Sequence, residues 1–277
     1  RDIANLMSGS PLCCFSPCCY LCPVDRLVTL PSRWRDERLK LRDLVVSSDT
    51  MALSEEVDAG GDGADLVKEH NRYQESVFDE QAHTFAGPAA TTLEVVPRMQ
   101  RIARACQLGP EALVLDVATG TGAMLPFYTA EGVPLSRIIG VDLSEGMLRF
   151  ARQSFPEASF VKSDIMEYTE PDGRRFDRVV FNACFANFWD GGCVLKHISS
   201  SVVAPGGIVV ISHPLGRRWL ENLQREDPKM VRHLLPDADE LLSLLKQHSV
   251  DFSLVSFDDE EEYYCVVLQK QRACDLS

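Results

Sequence analysis

The 277 residues hold 28 Lys and Arg against 41 Asp and Glu, a formal net charge of −13, with 45% hydrophobic and 25% charged residues. That balance is expected of a soluble globular protein; no apolar run reaches the roughly 18 residues of a membrane span, and the acid excess argues against nucleic acid as a partner. The length suits one α/β core with additions.

Residues 1–50 begin with Arg1 and show no repeating apolar pattern. Three readings stay open for them. They are translated untranslated sequence ahead of a start at Met51, an organellar transit peptide (opposed by Asp36, Glu37 and Asp43), or a structural extension. With the acidic leader after Met51, residues 1–65 are expected to be a disordered or non-native extension. The compartment is then expected to be cytoplasmic, or a plastid or mitochondrion if residues 1–50 are a transit peptide.

Of ten cysteines, five crowd into "CCFSPCCYLC" as Cys13, Cys14, Cys18, Cys19 and Cys22. No paired CxxC units accompany them, so no metal is expected. The scattered Cys106, Cys184, Cys193, Cys265 and Cys274 read as reduced, buried thiols.

From residue 66 to 271 the chain reads as one domain, followed by a tail at 272–277. "LVKEHNRYQESVFDEQAHTFAG" has helical spacing and stops at Gly87-Pro88; "TTLEVVPRMQRIARACQLG" is a second helix with Pro97 near its first turn. Together they make a helical cap over 66–108. The runs "ALVLDV", "RIIGVD", "ASFVKSD", "FDRVVFNA" and "GIVVISH" then alternate with mostly amphipathic segments. Continuous Val/Ile/Leu runs of this kind predict a doubly wound parallel sheet covered on both faces. After an insert at 213–236 and the helix "DELLSLLKQHS", "DFSLVSFDDEEEYYCVVLQKQ" reads as an antiparallel hairpin. The fold class is therefore α/β, with seven strands.

In an open parallel sheet, ligands bind beyond the carboxyl ends of the strands. There the chain places Asp116 with the turn "VATGTG", Asp142 26 residues later, Ser163-Asp164, Asn182 leading to Asn187, and His213. Gly120 and Gly122 let a backbone approach a ligand closely, and an acid at Asp142 suits two ribose hydroxyls. Asp142 and Asp164 also read as helix caps, and His213 as a turn residue.

The stretch from 113 to 270 resembles the class I S-adenosylmethionine-dependent methyltransferases (methyltransferase domains of type 11 or 25). "VLDVATGTG", "GVDLSEGML", "KSDIMEY" and "VAPGGIVVIS" carry the likeness. The resemblance implies S-adenosylmethionine as cofactor, with Asp116, Ala118, Gly120 and Gly122 at its methionine part. Asp142 and Leu143 would lie at the ribose, Met147 near the adenine, and Asp164 and Ile165 against the adenine amino group. Asn182 and Asn187 would face the methyl group, Asn187 on the substrate side. Ala118 stands where glycine is commoner, as in the ubiquinone and menaquinone C-methyltransferases. That subfamily's acid is Ala123 here, and its Arg-Asn pair is missing from "NACFANFWD". "HPLGR" and "DDEEEYYCVVLQKQ" are similar to methyltransferase-like proteins of plants and algae.

Methyl transfer to a small-molecule acceptor follows as the expected activity. His213 is the candidate base. The insert at 213–236 is the candidate lid, where Arg217 and Arg218 clamp an acidic substrate or else lie on a solvated helix face. Phe185, Phe188, Trp189 and Trp219 form an aromatic pocket or belong to the core. Two rival functions stand: an NAD(P)-dependent oxidoreductase, whose fingerprint is degraded here, and a cofactor-binding protein without turnover. Nucleic-acid amino-methylation is disfavoured because "NACF" replaces a Pro-Pro-aromatic run.

Overall fold

A computed structural model describes residues 63–86 and 93–272. The cysteine cluster, Met51, Gly87-Pro88 and residues 273–277 lie outside the described residues.

Helices α1 (Gly63–Phe85) and α2 (Val96–Ala105) precede the sheet. Then come β1 (Val114–Val117), α3 (Leu125–Ala130), β2 (Ile138–Asp142), α4 (Glu145–Ser154), β3 (Ser159–Lys162) and β4 (Phe176–Asn182). After α5 (Gly191–His197) follow β5 (Val203–His213), α6 (Gly216–Glu226), α7 (Ala238–Gln247), β6 (Phe252–Glu260) and β7 (Tyr263–Lys270). The strand order is β3-β2-β1-β4-β5-β7-β6, with β1 to β5 parallel and β7 antiparallel to both of its neighbours.

The central strands are apolar through their middles because both faces are covered there. Val114, Val180 and Val210 pack into one cluster, and their chain neighbours Leu115, Val179 and Val209 into the other. Side chains of period two thus feed two cores from one run, which is why no alternation is visible in the sequence. Strand β3, at the edge, is mostly exposed, and "ASFVKSD" is correspondingly polar.

Local chemistry fixes the helix ends. Ser144 Oγ accepts from Met147 N at 3.0 Å and starts α4. Asp237 and Glu240 form a reciprocal capping box at α7, an arrangement contributing about 1 kcal/mol. Pro97 sits in the first turn of α2, where its missing N–H is no loss. No described helix is long and apolar enough to cross a membrane.

The insert after β5 does not hang free. Gly216 (φ +73°) starts α6 so close to the hairpin that a Cβ there would come within 2.7 Å of the Glu261 carbonyl. Helix α6 consequently lies along the β6–β7 hairpin.

Candidate active site

The order β2-β1-β4 makes β1 the switch point, where connections leave toward opposite sides. A cavity of about 1260 Å³, counted to its open mouth, lies beyond these carboxyl ends. Its floor is the turn after β1. Ala118 (φ +51°) and Gly120 (φ +57°) adopt left-handed backbone there, a conformation that costs a residue with a Cβ roughly 1–2 kcal/mol. Thr119 N donates to the Val141 carbonyl at 3.1 Å. That approach requires Gly140, whose Cβ would come within 2.7 Å of Thr119 Cγ2.

Two carboxylates are buried in the floor with no cation paired to them among the described residues. Asp116 accepts from Thr119 Oγ1 at 2.6 Å and Tyr128 Oη at 2.8 Å. Asp142 accepts from Gly120 N at 2.8 Å and Ser144 N at 2.9 Å. Burial pushes each carboxyl up to about 6, although these donors pull the other way. Asp164 accepts from Met166 N at 2.9 Å and from the Asn71 amide at 2.6 Å.

Asn71 belongs to α1, which forms the wall that sequence reasoning missed. Asn71, Gln74, Glu75, Phe78 and Phe85 all line the cavity. The helix is tied to four separate segments. Asp79 accepts from Ser144 Oγ and Gly146 N, Gln74 donates to the Met230 carbonyl, and His70 Nε2 donates to the Asn187 carbonyl at 2.6 Å. Glu75 pairs with Lys162 at 2.6 Å. The signal was present as polar residues at helical spacing on one face of α1, but nothing local says what they meet.

Among the expected site residues, Asp116, Ala118, Gly120, Asp142, Leu143, Met147, Asp164, Ile165, Asn182 and Asn187 all line the cavity. Four do not. Gly122 (φ +84°) turns the chain where a Cβ would come within 2.9 Å of the Phe155 ring, so its task is packing. His213 is buried, stacked on Trp219 with centroids 5.2 Å apart, and its Nδ1 accepts from Leu215 N. Burial pushes its pKa down to about 3, too weak a base for neutral pH. Arg217 pairs with Asp259 at 3.0 Å and Arg218 with Glu261 at 2.6 Å, both on the hairpin. They are surface pairs rather than a clamp. Of the four aromatics, only Phe188 reaches the cavity; Phe185 is core, and Trp189 lies between His70 and Arg232. Cys106, Cys184 and Cys265 are buried as expected, but Cys193 is exposed.

Residues 114–207, which contain β1 to β4 and these acids, match the methyltransferase domain family. That match, with the shared fold below, supports a class I S-adenosylmethionine-dependent methyltransferase domain. A trans-aconitate 2-methyltransferase of Paracidovorax citrulli is 30% identical over 127 residues, covering 45% of each chain. The chain thus spans about half the length of the curated methyltransferases it matches. The fold is shared with the methyltransferase of a Haloferax volcanii complex with the Trm112 activator (TM-score 0.57, 15% identity, 72% of this chain and 97% of that one). It is shared too with a Burkholderia thailandensis 1,6-didemethyltoxoflavin-N1-methyltransferase bound to S-adenosylhomocysteine (TM-score 0.55, 19% identity, 78% and 93%). No support for an oxidoreductase emerges from these matches. Among the described residues, the cavity lining includes no His, Lys, Arg or Tyr.

Proposed function

We propose that this methyltransferase binds S-adenosylmethionine in the cavity and transfers its methyl group to a small acidic acceptor at a carboxylate oxygen. The observation that carries the reading is the row of acids and turn amides at one sheet edge: Asp116, Gly120, Asp142 and Asp164. Asp142 would accept from the ribose hydroxyls, Asp164 and the Ile165 backbone would take the adenine amino group, and Asp116 would face the amino-acid end. Leu143 and Met147 supply apolar contact, and Ala118 and Gly120 the close backbone approach.

The bound cofactor supplies an electrophilic methyl group on a sulfonium. The chain's part is to hold acceptor and methyl in line and keep water out. No His, Lys or Tyr lines the cavity among the described residues, and the raised acids Asp116 and Asp142 are taken up by the cofactor in this reading, which favours an acceptor already deprotonated at pH 7, and a carboxylate is one. Asn182 and Asn187, at the end of β4 and just after it, would orient that acceptor. The name of the Paracidovorax relative, whose substrate trans-aconitate is an acid, supports the same class.

Calorimetric titration with S-adenosylhomocysteine, NADH and NADPH tests the cofactor, with Asp142→Ala as control. Binding of S-adenosylhomocysteine alone, lost in the variant, is expected; binding of a nicotinamide nucleotide instead would sink the assignment. Methyl transfer from labelled cofactor is then assayed with trans-aconitate and other di- and tricarboxylates, and with amines and phenols. Turnover of amines or phenols only would remove the carboxylate class. Cofactor binding without turnover of any acceptor would favour a non-catalytic protein.

A further inference from the structure

Away from the cavity, the start of α5 and the end of α7 bring three metal-ligating side chains together. Asp190 is the N-cap of α5, Cys193 stands three residues on, and His248 is the C-cap of α7. One ligand atom from each lies within 4.8 Å of the other two.

Helix capping explains only half of Asp190. Its Oδ1 accepts from Cys193 N at 2.9 Å, while Oδ2 accepts from the Cys193 thiol at 3.4 Å. The cap therefore uses one oxygen and leaves the other beside the sulfur. His248 reaches the pair because position 192 is glycine; any Cβ there would run into the imidazole. Lys196 lies along α5 near Cys193, and His233 lies near Asp190.

We propose that Asp190, Cys193 and His248 form a site for a zinc-class divalent cation that clips the start of α5 to the end of α7. The donor chemistry sets the class. One thiolate, one imidazole and one carboxylate suit zinc and its neighbours, whereas calcium and magnesium take oxygen ligands. Bonds of about 2.0–2.3 Å in a tetrahedron leave ligands roughly 3.3–3.8 Å apart, so rotamer adjustments of about an ångström close the site. A fourth position stays open to water. Burial and the Asp190 carboxylate push the Cys193 thiol up. Binding therefore displaces the thiol proton to solvent as the sulfur–metal bond forms.

The test uses the full chain, freed of metal with a chelator and titrated with Zn2+ by calorimetry in buffers of different ionisation enthalpy. Cys193→Ser and His248→Gln are compared with wild type. The cysteines at 13–22 are common to all three proteins, so the differences isolate this site. Wild type is expected to take up one more equivalent than either variant, with additional proton release and a zinc-induced rise in Tm that both variants lack. Asp190→Asn keeps the cap acceptor, since Asn caps as well as Asp, and is expected to bind at least tenfold more weakly. Equal stoichiometry and equal Tm shifts in all four proteins would overturn the proposal.

Discussion

The two charged ends of this molecule handle carboxylates in opposite ways. At the cavity, Asp116 and Asp142 are buried, lack cationic partners among the described residues and are held by hydroxyls and backbone N–H groups. At the hairpin, Asp258, Asp259, Glu260, Glu261 and Glu262 are mostly exposed, and each meets an arginine from α2 or α6: Arg98, Arg101, Arg217 or Arg218. A buried acid without a counter-charge is costly to keep and is retained where a ligand will use it. An exposed paired acid is cheap and contributes little. Charge alone does not mark a site; desolvation without a counter-ion does.

The largest test of that contrast is Asp142→Ala. Two hydrogen bonds to a charged acceptor are worth about 1.5–3 kcal/mol each, so S-adenosylhomocysteine affinity should fall at least about a hundredfold, while the hairpin variant Arg218→Ala binds as wild type does. Calorimetry reads both.

Next is pH. Asp142 titrates at about 6 in the folded chain against an ordinary 3.8. The folded state thus holds the proton more tightly than the unfolded one. Its contribution to stability is greatest below about pH 4 and is lost as pH rises through about 6. Denaturant unfolding of wild type and Asp142→Asn at pH 4.5 and 7.5 should show wild type losing ground to the variant by about 2 kcal/mol at the higher pH. A difference that does not move would contradict burial as the cause. Cofactor affinity runs the other way and weakens as pH falls below about 6.

Ala118→Gly is a smaller effect. Relief of left-handed strain, about 1–2 kcal/mol, outweighs the added unfolded-state entropy of glycine, about 0.4–1 kcal/mol. A net gain of about 0.5–1 kcal/mol in thermal or denaturant unfolding is expected. The smallest is Arg218→Ala itself, whose exposed pair with Glu261 should change stability by less than about 0.5 kcal/mol.

Most of the sheet could be read from the sequence because β1, β2, β4 and β5 are buried on both faces through their middles and are apolar there. The strand-end acids were equally legible, since topology alone carries Asp142 and Asp164 to the edge that holds Asp116. What failed was information carried by distant partners. Arg217 and Arg218 look free until the acids some 42 residues downstream fold back beside them. Gly122 looks like a ligand contact until Phe155 arrives behind it. His213 shares a strand end with the others, but β7 and α6 cover it. The α1 wall had no motif at all, because its residues matter only through what they touch.

Helix α1 buries only His70, Gln74 and Ala82, and its other apolar contacts, Val77 and Phe78, are partly exposed. It is held by hydrogen bonds to residues 65 to 156 positions away in the chain, with little hydrophobic area behind them. In the language of native-state exchange this is expected to be a low-free-energy unit, one that opens while the sheet stays folded. Amide exchange along α1 should therefore outpace that of β1, β4 and β5. The same detachment uncovers the wall over Asp142 and Asp164, so the opening rate of one helix sets an upper bound on how fast anything enters or leaves the cavity past it.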